Sequence, residues 1–131
     1  MPKKKERRYA ASGAKFVVEY ACDASGRYPA EDFLKEVGED QARKSEHAGL
    51  LYLFKLYADQ GRITNPEQFK KLEGTDPTLV EFKKFQCRVF GFFNGSGVLV
   101  LTHGFIKKKD KVDKSEIERG QRIRRGHLSQ S

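Results

Sequence analysis

The chain has only two cysteines, Cys22 and Cys87, and three histidines among its 131 residues. The cysteines lie far apart, with no ligand spacing around them. That excludes a zinc motif built from them and the scattered histidines, and leaves them as reduced, buried thiols. Long apolar runs are missing as well. No stretch approaches the roughly 20 residues of a membrane span. The basic residues at the N-terminus have no apolar segment behind them, so they do not read as a secretory signal, and a cytoplasmic protein is the simplest expectation. Sharply spelled catalytic motifs are also lacking: there is no nucleophile elbow, no P-loop and no His-Glu metal helix. Gly95-Ser96-Gly97 reads as a hairpin rather than a phosphate loop. No cofactor is implied.

What the chain does have is charge. The formal net charge is +8, with 34% charged and 37% hydrophobic residues. Residues 1–15 and 103–131 each carry +5, so the middle sums to −2. Positive charge concentrated at the two ends attracts polyanions, of which nucleic acid is the commonest. A solubilising surface with a floppy basic tail, or an acidic protein partner, would account for the same pattern. Ten Phe and five Tyr suffice for one modest core, so the length fits one domain.

Residues 1–14 are charged, small and without period, and read as a disordered basic arm. The alternation of Phe16, Val18 and Tyr20 marks a first strand. Pro29 suits a helix start, with Phe33, Leu34 and Val37 on one face and an end near Gly38. A longer helix over 40–59 carries Leu50, Leu53, Phe54 and Tyr57 at helical spacing and stops at Gly61. These two segments read as a helical hairpin. Asn65-Pro66-Glu67-Gln68 is a capping signal that opens a short turn of helix carrying Phe69 and Leu72. Three short strands follow over 79–85, 88–93 and 98–103, the last two joined through Asn94-Gly95, which favours a tight hairpin. A second capping signal at Asp113-Lys114-Ser115-Glu116 opens a helix that runs to about Arg125. Residues 126–131 are left as a flexible tail. The order implies an α+β domain, with the helical hairpin packed on one face of a small antiparallel sheet and a C-terminal helix.

Cations cluster on and just after the sheet. Lys83 faces away from Phe82, Arg88 starts the next strand, and Lys107, Lys108, Lys109 and Lys111 follow the last. A meander brings these places together. Converging cations can hold an RNA phosphate and stabilise the charge that builds on it during cleavage. Attack by a ribose 2′-hydroxyl needs no metal, only in-line placement and proton transfer. A lysine whose pKa is depressed by its neighbours could carry such a proton. Plainer roles exist for each. Lys83 and Lys84 suit a solvated strand face, Arg88 an ion pair with Glu81 or Glu19, and the lysine run a solvated loop. His103, at a strand end, suits a hydrogen-bonded structural role or a proton carrier.

The segments Leu79-Val80-Glu81-Phe82-Lys83, Arg88-Val89-Phe90-Gly91-Phe92-Phe93, Val98 through Lys109 (with His103-Gly104-Phe105-Ile106-Lys107-Lys108) and Ser115-Glu116-Ile117-Glu118-Arg119 resemble the RelE/HigB superfamily of toxins, especially its phage-derived branch. The match covers about residues 15–125 in order. The resemblance implies a RelE-like fold and a ribosome-dependent mRNA endoribonuclease. It also implies a cognate antitoxin, often a helix-turn-helix DNA-binding protein. It places the family's strand arginine on Arg88, its preceding basic position on Lys83, and its following lysines on Lys107 and Lys108. Lys84, Lys109, Lys111, Arg119 and Arg122 would extend the RNA surface. No tyrosine follows Tyr57, so the C-terminal tyrosine or histidine that some members use falls to His103, His127 or a lysine. Gly91 stands where tyrosine is common. Two other readings are a non-catalytic RNA- or protein-binding module and a ParE-like toxin directed at gyrase.

Overall fold

A computed structural model describes residues 6–108 and 114–130. The alternation around Val18 and Tyr20 forms strand β2 (Val17–Tyr20), and β1 (Arg8–Ser12) lies antiparallel against it. Helix α1 (Pro29–Glu39) begins on Pro29, whose missing N–H costs nothing in the first turn. A 3-10 turn (Gln41–Arg43) leads into α2 (Lys44–Gln60). That helix ends at Gly61, whose φ of 76° lets its N–H reach the Tyr57 carbonyl at 2.8 Å. Strands β3 (Phe69–Lys71), β4 (Val80–Lys84), β5 (Cys87–Phe93) and β6 (Val98–Ile106) follow, then α3 (Lys114–Leu128).

The fold is α+β, with one six-stranded sheet in the order β1-β2-β6-β5-β4-β3. The expected antiparallel meander is present as β4, β5 and β6. The sheet as a whole is mixed, because β2 runs parallel to β6, pairing Val17 with Val98 through Tyr20 with Leu101. A parallel pair needs a long crossover, and here the whole stretch from α1 to β5 supplies it.

Alternation along the strands divides the apolar residues between two faces. Val18, Tyr20, Val80, Phe82, Val89, Leu99 and Leu101 belong to the larger core with Leu34, Val37, Leu50, Leu53 and Phe54 of α1 and α2. Leu72, Leu79, Phe90, Phe92 and Val100 form a second cluster on the other face with Ile123 of α3. Two glycines permit this close packing. A Cβ on Gly104 of β6 would lie 2.1 Å from the Phe33 ring of α1. A Cβ on Gly120 of α3 would meet Leu79, His103 and Phe90 at 3.2 to 3.6 Å.

Three expectations are corrected. Residues 65–72 do not form a helical turn that propagates. Asn65 accepts the Glu67 N–H on its side chain and the Gln68 and Phe69 N–H groups on its carbonyl, but the chain then extends into β3. Pairing with β4 and the packing of Phe69 on Phe82 and Tyr57 outweigh a helix nucleus too short to gain more bonds. The arm expected to be disordered is ordered over Arg8–Ser12, and its two arginines are paired: Arg7 Nε donates to Glu19 at 2.7 Å and Arg8 to Glu31 at 2.7 Å. Residues 126–130 are likewise no loose tail. His127 accepts the Cys22 N–H on Nδ1 at 2.9 Å and lies 3.2 Å from Glu19, while Gln130 donates to the carbonyls of Cys22 and Asp23. Asp113 of the expected helix-opening signal lies outside the described residues.

Candidate functional site

The β4–β5 hairpin sets Lys83 directly opposite Arg88, and β6 sets Phe105 opposite Arg88. One row deeper, Lys70, Glu81, Phe90 and His103 stand side by side across four strands. All project on the face opposite Phe82. Glu81 is 1% exposed. Its Oε2 lies 3.7 Å from Arg88 Nε and its Oε1 lies 3.9 Å from Lys70 Nζ. Neither Glu81 Oε2 nor Arg88 Nε has a hydrogen-bond partner among the described residues. The other end of the guanidinium is held firmly, with Nη1 donating to the Phe85 carbonyl at 2.5 Å and to the Cys87 carbonyl at 3.0 Å.

Above this buried carboxylate the cations converge. The Lys83 pKa is lowered from 10.5, first by partial burial and then by the charges of Lys70, Arg88 and Lys107, against the opposing pull of Glu81. Lys107 is brought alongside because its N–H continues the β5–β6 pairing to the Gln86 carbonyl at 2.8 Å. Lys83 thus stands among Lys70, Arg88 and Lys107, with Glu81 buried beneath Lys70 and Arg88. Such a site can accept an anion, and the lowered pKa of Lys83 makes its ammonium a readier proton donor than an unperturbed lysine.

The structure therefore brings Lys83, Arg88 and Lys107 together. Lys108 follows them, exposed. Lys84 is not with them. Adjacent strand residues point to opposite faces, and its stem runs along Gly49 of α2, where a Cβ on that glycine would meet it at 2.5 to 2.8 Å. Lys109 and Lys111 lie outside the described residues. Arg119 and Arg122 of α3 line a cleft with Asp23 and Pro29 instead. The sequence reading missed Lys70, because Phe69–Lys71 read as helix. Had that segment read as an edge strand, the alternation would have put Lys70 beside Glu81.

His103 is fully buried beneath α3. Its Nδ1 lies 3.0 Å from Thr102 Oγ1 and its Nε2 lies 3.3 Å from Glu116. Burial, and then the charges of Arg119 and Arg122, push its pKa down to about 3. It is neutral at physiological pH and shielded from any bound phosphate, which suits a packing role better than proton transfer. One consequence is measurable. The unfolded chain takes up a proton at His103 below about pH 6.5 and the folded chain does not until near pH 3, so stability falls as pH drops through that window. Urea unfolding between pH 6.5 and 5, above most carboxylate titration, is expected to show a slope that His103→Gln flattens. Equal slopes would mean that the folded protein protonates His103.

Both cysteines are buried and free, as expected. Burial, together with Glu46, pushes the Cys87 thiol up to about 12, so it is inert as a nucleophile. Among the described residues, no group of three or more His, Cys, Asp or Glu could hold a metal ion, and no helix is long and apolar enough to cross a membrane.

No curated protein matches the chain. The family model for the phage derived protein Gp49-like (DUF891) matches residues 40–125, which include α2, all of the β3–β6 sheet segment and most of α3. That family is associated with RelE/HigB-like toxins. The segment matched holds Lys70, Glu81, Lys83, Arg88 and Lys107, so the cationic site lies within the shared domain, and the chain belongs to the Gp49-like phage-derived family.

Proposed function

We propose that this protein is the toxin of a toxin-antitoxin pair, a RelE-like endoribonuclease that cuts mRNA on the ribosome and is silenced by a cognate antitoxin. The observation that carries the reading is the register pair of Lys83 and Arg88, with Lys70 and Lys107 beside it, over the buried Glu81. Arg88 and Lys83 hold the scissile phosphate and offset the charge that grows on it as the 2′-hydroxyl, giving its proton to solvent water, attacks phosphorus and the bond to the 5′ oxygen breaks. Lys107 and Lys108 add charge. Glu81 positions Arg88. Lys83, with its pKa lowered, protonates the leaving 5′ oxygen. The proposed chemistry is metal-independent and gives no step to His103. Arg119 and Arg122, and the exposed lysines, bind RNA nearby, so affinity falls steeply with salt. The antitoxin is proposed to be a helix-turn-helix DNA-binding protein.

The role of Lys83 makes a pH prediction. A proton donor works only while protonated, so the cleavage rate should fall as pH rises through its depressed pKa, below 10.5. In Lys83→Arg the charge stays but the donor is lost. The rate should drop about 10²-fold or more, and the alkaline fall should vanish from the profile. Single-turnover cleavage on programmed ribosomes measures both. An unchanged alkaline limb in Lys83→Arg would remove Lys83 from proton transfer.

The burial of His103 and the absence of tyrosine after Tyr57 favour a second reading, a binding module without cleavage. Induced expression separates the readings. Growth arrest by the wild type that Arg88→Ala relieves supports the nuclease. Arrest that persists in Arg88→Ala favours a gyrase-directed toxin. A folded protein that causes no arrest favours the binding module.

A further inference from the structure

The turn that joins β4 to β5 consists of Phe85 and Gln86, between the paired residues Lys84 and Cys87. Phe85 has φ 50°, in the left-handed region, where a bulky side chain is an outlier. Glycine or asparagine would take that conformation at lower cost. The ring gains no core packing in return: it is 67% exposed and belongs to neither core cluster of the described residues. The turn is nevertheless held rigidly. Glu46 of α2, itself gripped by Arg43 at 2.7 Å, accepts the N–H groups of Gln86 and Cys87 at 3.1 Å each. Arg88 donates to the Phe85 carbonyl, and Lys107 N–H donates to that of Gln86. An exposed aromatic ring is thus carried on a fixed, strained turn whose backbone is tied to the guanidinium of the cationic site. The Lys84 ammonium lies 4.7 Å from the ring centroid.

We propose that Phe85 is a stacking platform for an unpaired base of single-stranded RNA whose neighbouring phosphate is held at Lys83 and Arg88. This rests on the RNA reading above and deepens it by naming the base contact. Single-stranded RNA is gripped by aromatic faces beside cationic grooves, and stacking tolerates any base because every base has a π-face. Lys84 under one face of the ring adds attraction of the cation–π kind and leaves the other face for the base. A protein partner could also use an exposed ring, but Lys83, Lys84, Arg88 and Lys107 around this turn favour a polyanion.

The chain contains no tryptophan, so Phe85→Trp installs a single fluorescent reporter at an exposed position. The full chain carrying it would be titrated at low salt with a short labelled single-stranded RNA and with the same sequence as a duplex. The expected result is quenching of tryptophan emission by the single strand, with little quenching by the duplex even where anisotropy reports binding. Phe85→Ala should weaken single-strand binding about 10-fold without altering its salt dependence, and Phe85→Tyr should restore it. RNA that binds the tryptophan variant without quenching, with Phe85→Ala as tight as wild type, overturns the stacking role and leaves the RNA reading intact. No binding of any free RNA by wild type also overturns the stacking role, and ribosome-dependent cleavage then decides the RNA reading separately. Emission that answers to an acidic protein partner and not to RNA would assign the ring to a protein interface and overturn the proposal.

Discussion

Arg88→Ala is expected to lower mRNA cleavage by about 10²–10³-fold, the usual loss when a preorganised donor to a charged transition state is removed. Arg88 is suited to that role because its position is fixed from several sides. The backbone pairs it with Lys83 and Phe105, two carbonyls hold Nη1, and Glu81 lies behind Nε. The same arrangement means that the substitution also leaves Glu81 buried, with Lys70 3.9 Å away as its remaining ion-pair partner among the described residues. Breaking a buried pair can cost about 3–5 kcal/mol, and the part-exposed Lys70 offsets some of it. The two effects separate in the double variant Arg88→Ala/Glu81→Gln, in which the stranded charge is gone. Thermal unfolding should recover toward wild type while cleavage stays lost. Recovery of both would make Arg88 the structural counter-ion of Glu81 and nothing more.

Phe82→Ala should cost about 3–5 kcal/mol, the range for a fully buried aromatic removed from a core. Phe82 is 0% exposed and sits among Phe69, Phe54 and Tyr57, with ring centroids at 4.9, 5.0 and 6.0 Å. It lies between Glu81 and Lys83 on β4. Anchoring its ring against α2 is what commits those two neighbours to the opposite face. Urea unfolding should show a lower midpoint with little change in slope. Cleavage should fail only at temperatures where the variant unfolds, whereas Arg88→Ala fails at all of them. A loss under about 1 kcal/mol would mean that β4 is held by something other than this ring. Phe85, three residues on and exposed, should by contrast tolerate alanine with almost no change in stability.

Local patterns made much of this legible in the sequence. The spacing of Leu50, Leu53, Phe54 and Tyr57 marks α2, and Asn94-Gly95 marks the β5–β6 turn. The meander inferred from them was enough to bring Lys83, Arg88 and Lys107 together. What escaped depends on partners distant in the chain. The parallel pairing of β2 with β6 leaves no local trace. Asn65 carries a helix-opening signal that is used only for a turn, because Phe69 finds Phe82 and Tyr57. Arg7 and Arg8 look free until Glu19 and Glu31 arrive from elsewhere in the fold. The burial of His103 and His127 depends on where α3 lies, which the thin apolar face of that helix does not announce. Lys83 and Lys84 are consecutive in a strand and face opposite ways, and the register sets Lys83 opposite Arg88.

The most direct test of the central claim is to add the purified protein to a cell-free translation reaction and map the new 5′ ends on the mRNA, with Arg88→Ala and a ribosome-free reaction alongside. The expected result is cuts at ribosome-occupied codons that are absent from both controls. Intact mRNA in the presence of folded wild-type protein, or the same cuts with Arg88→Ala, would contradict it.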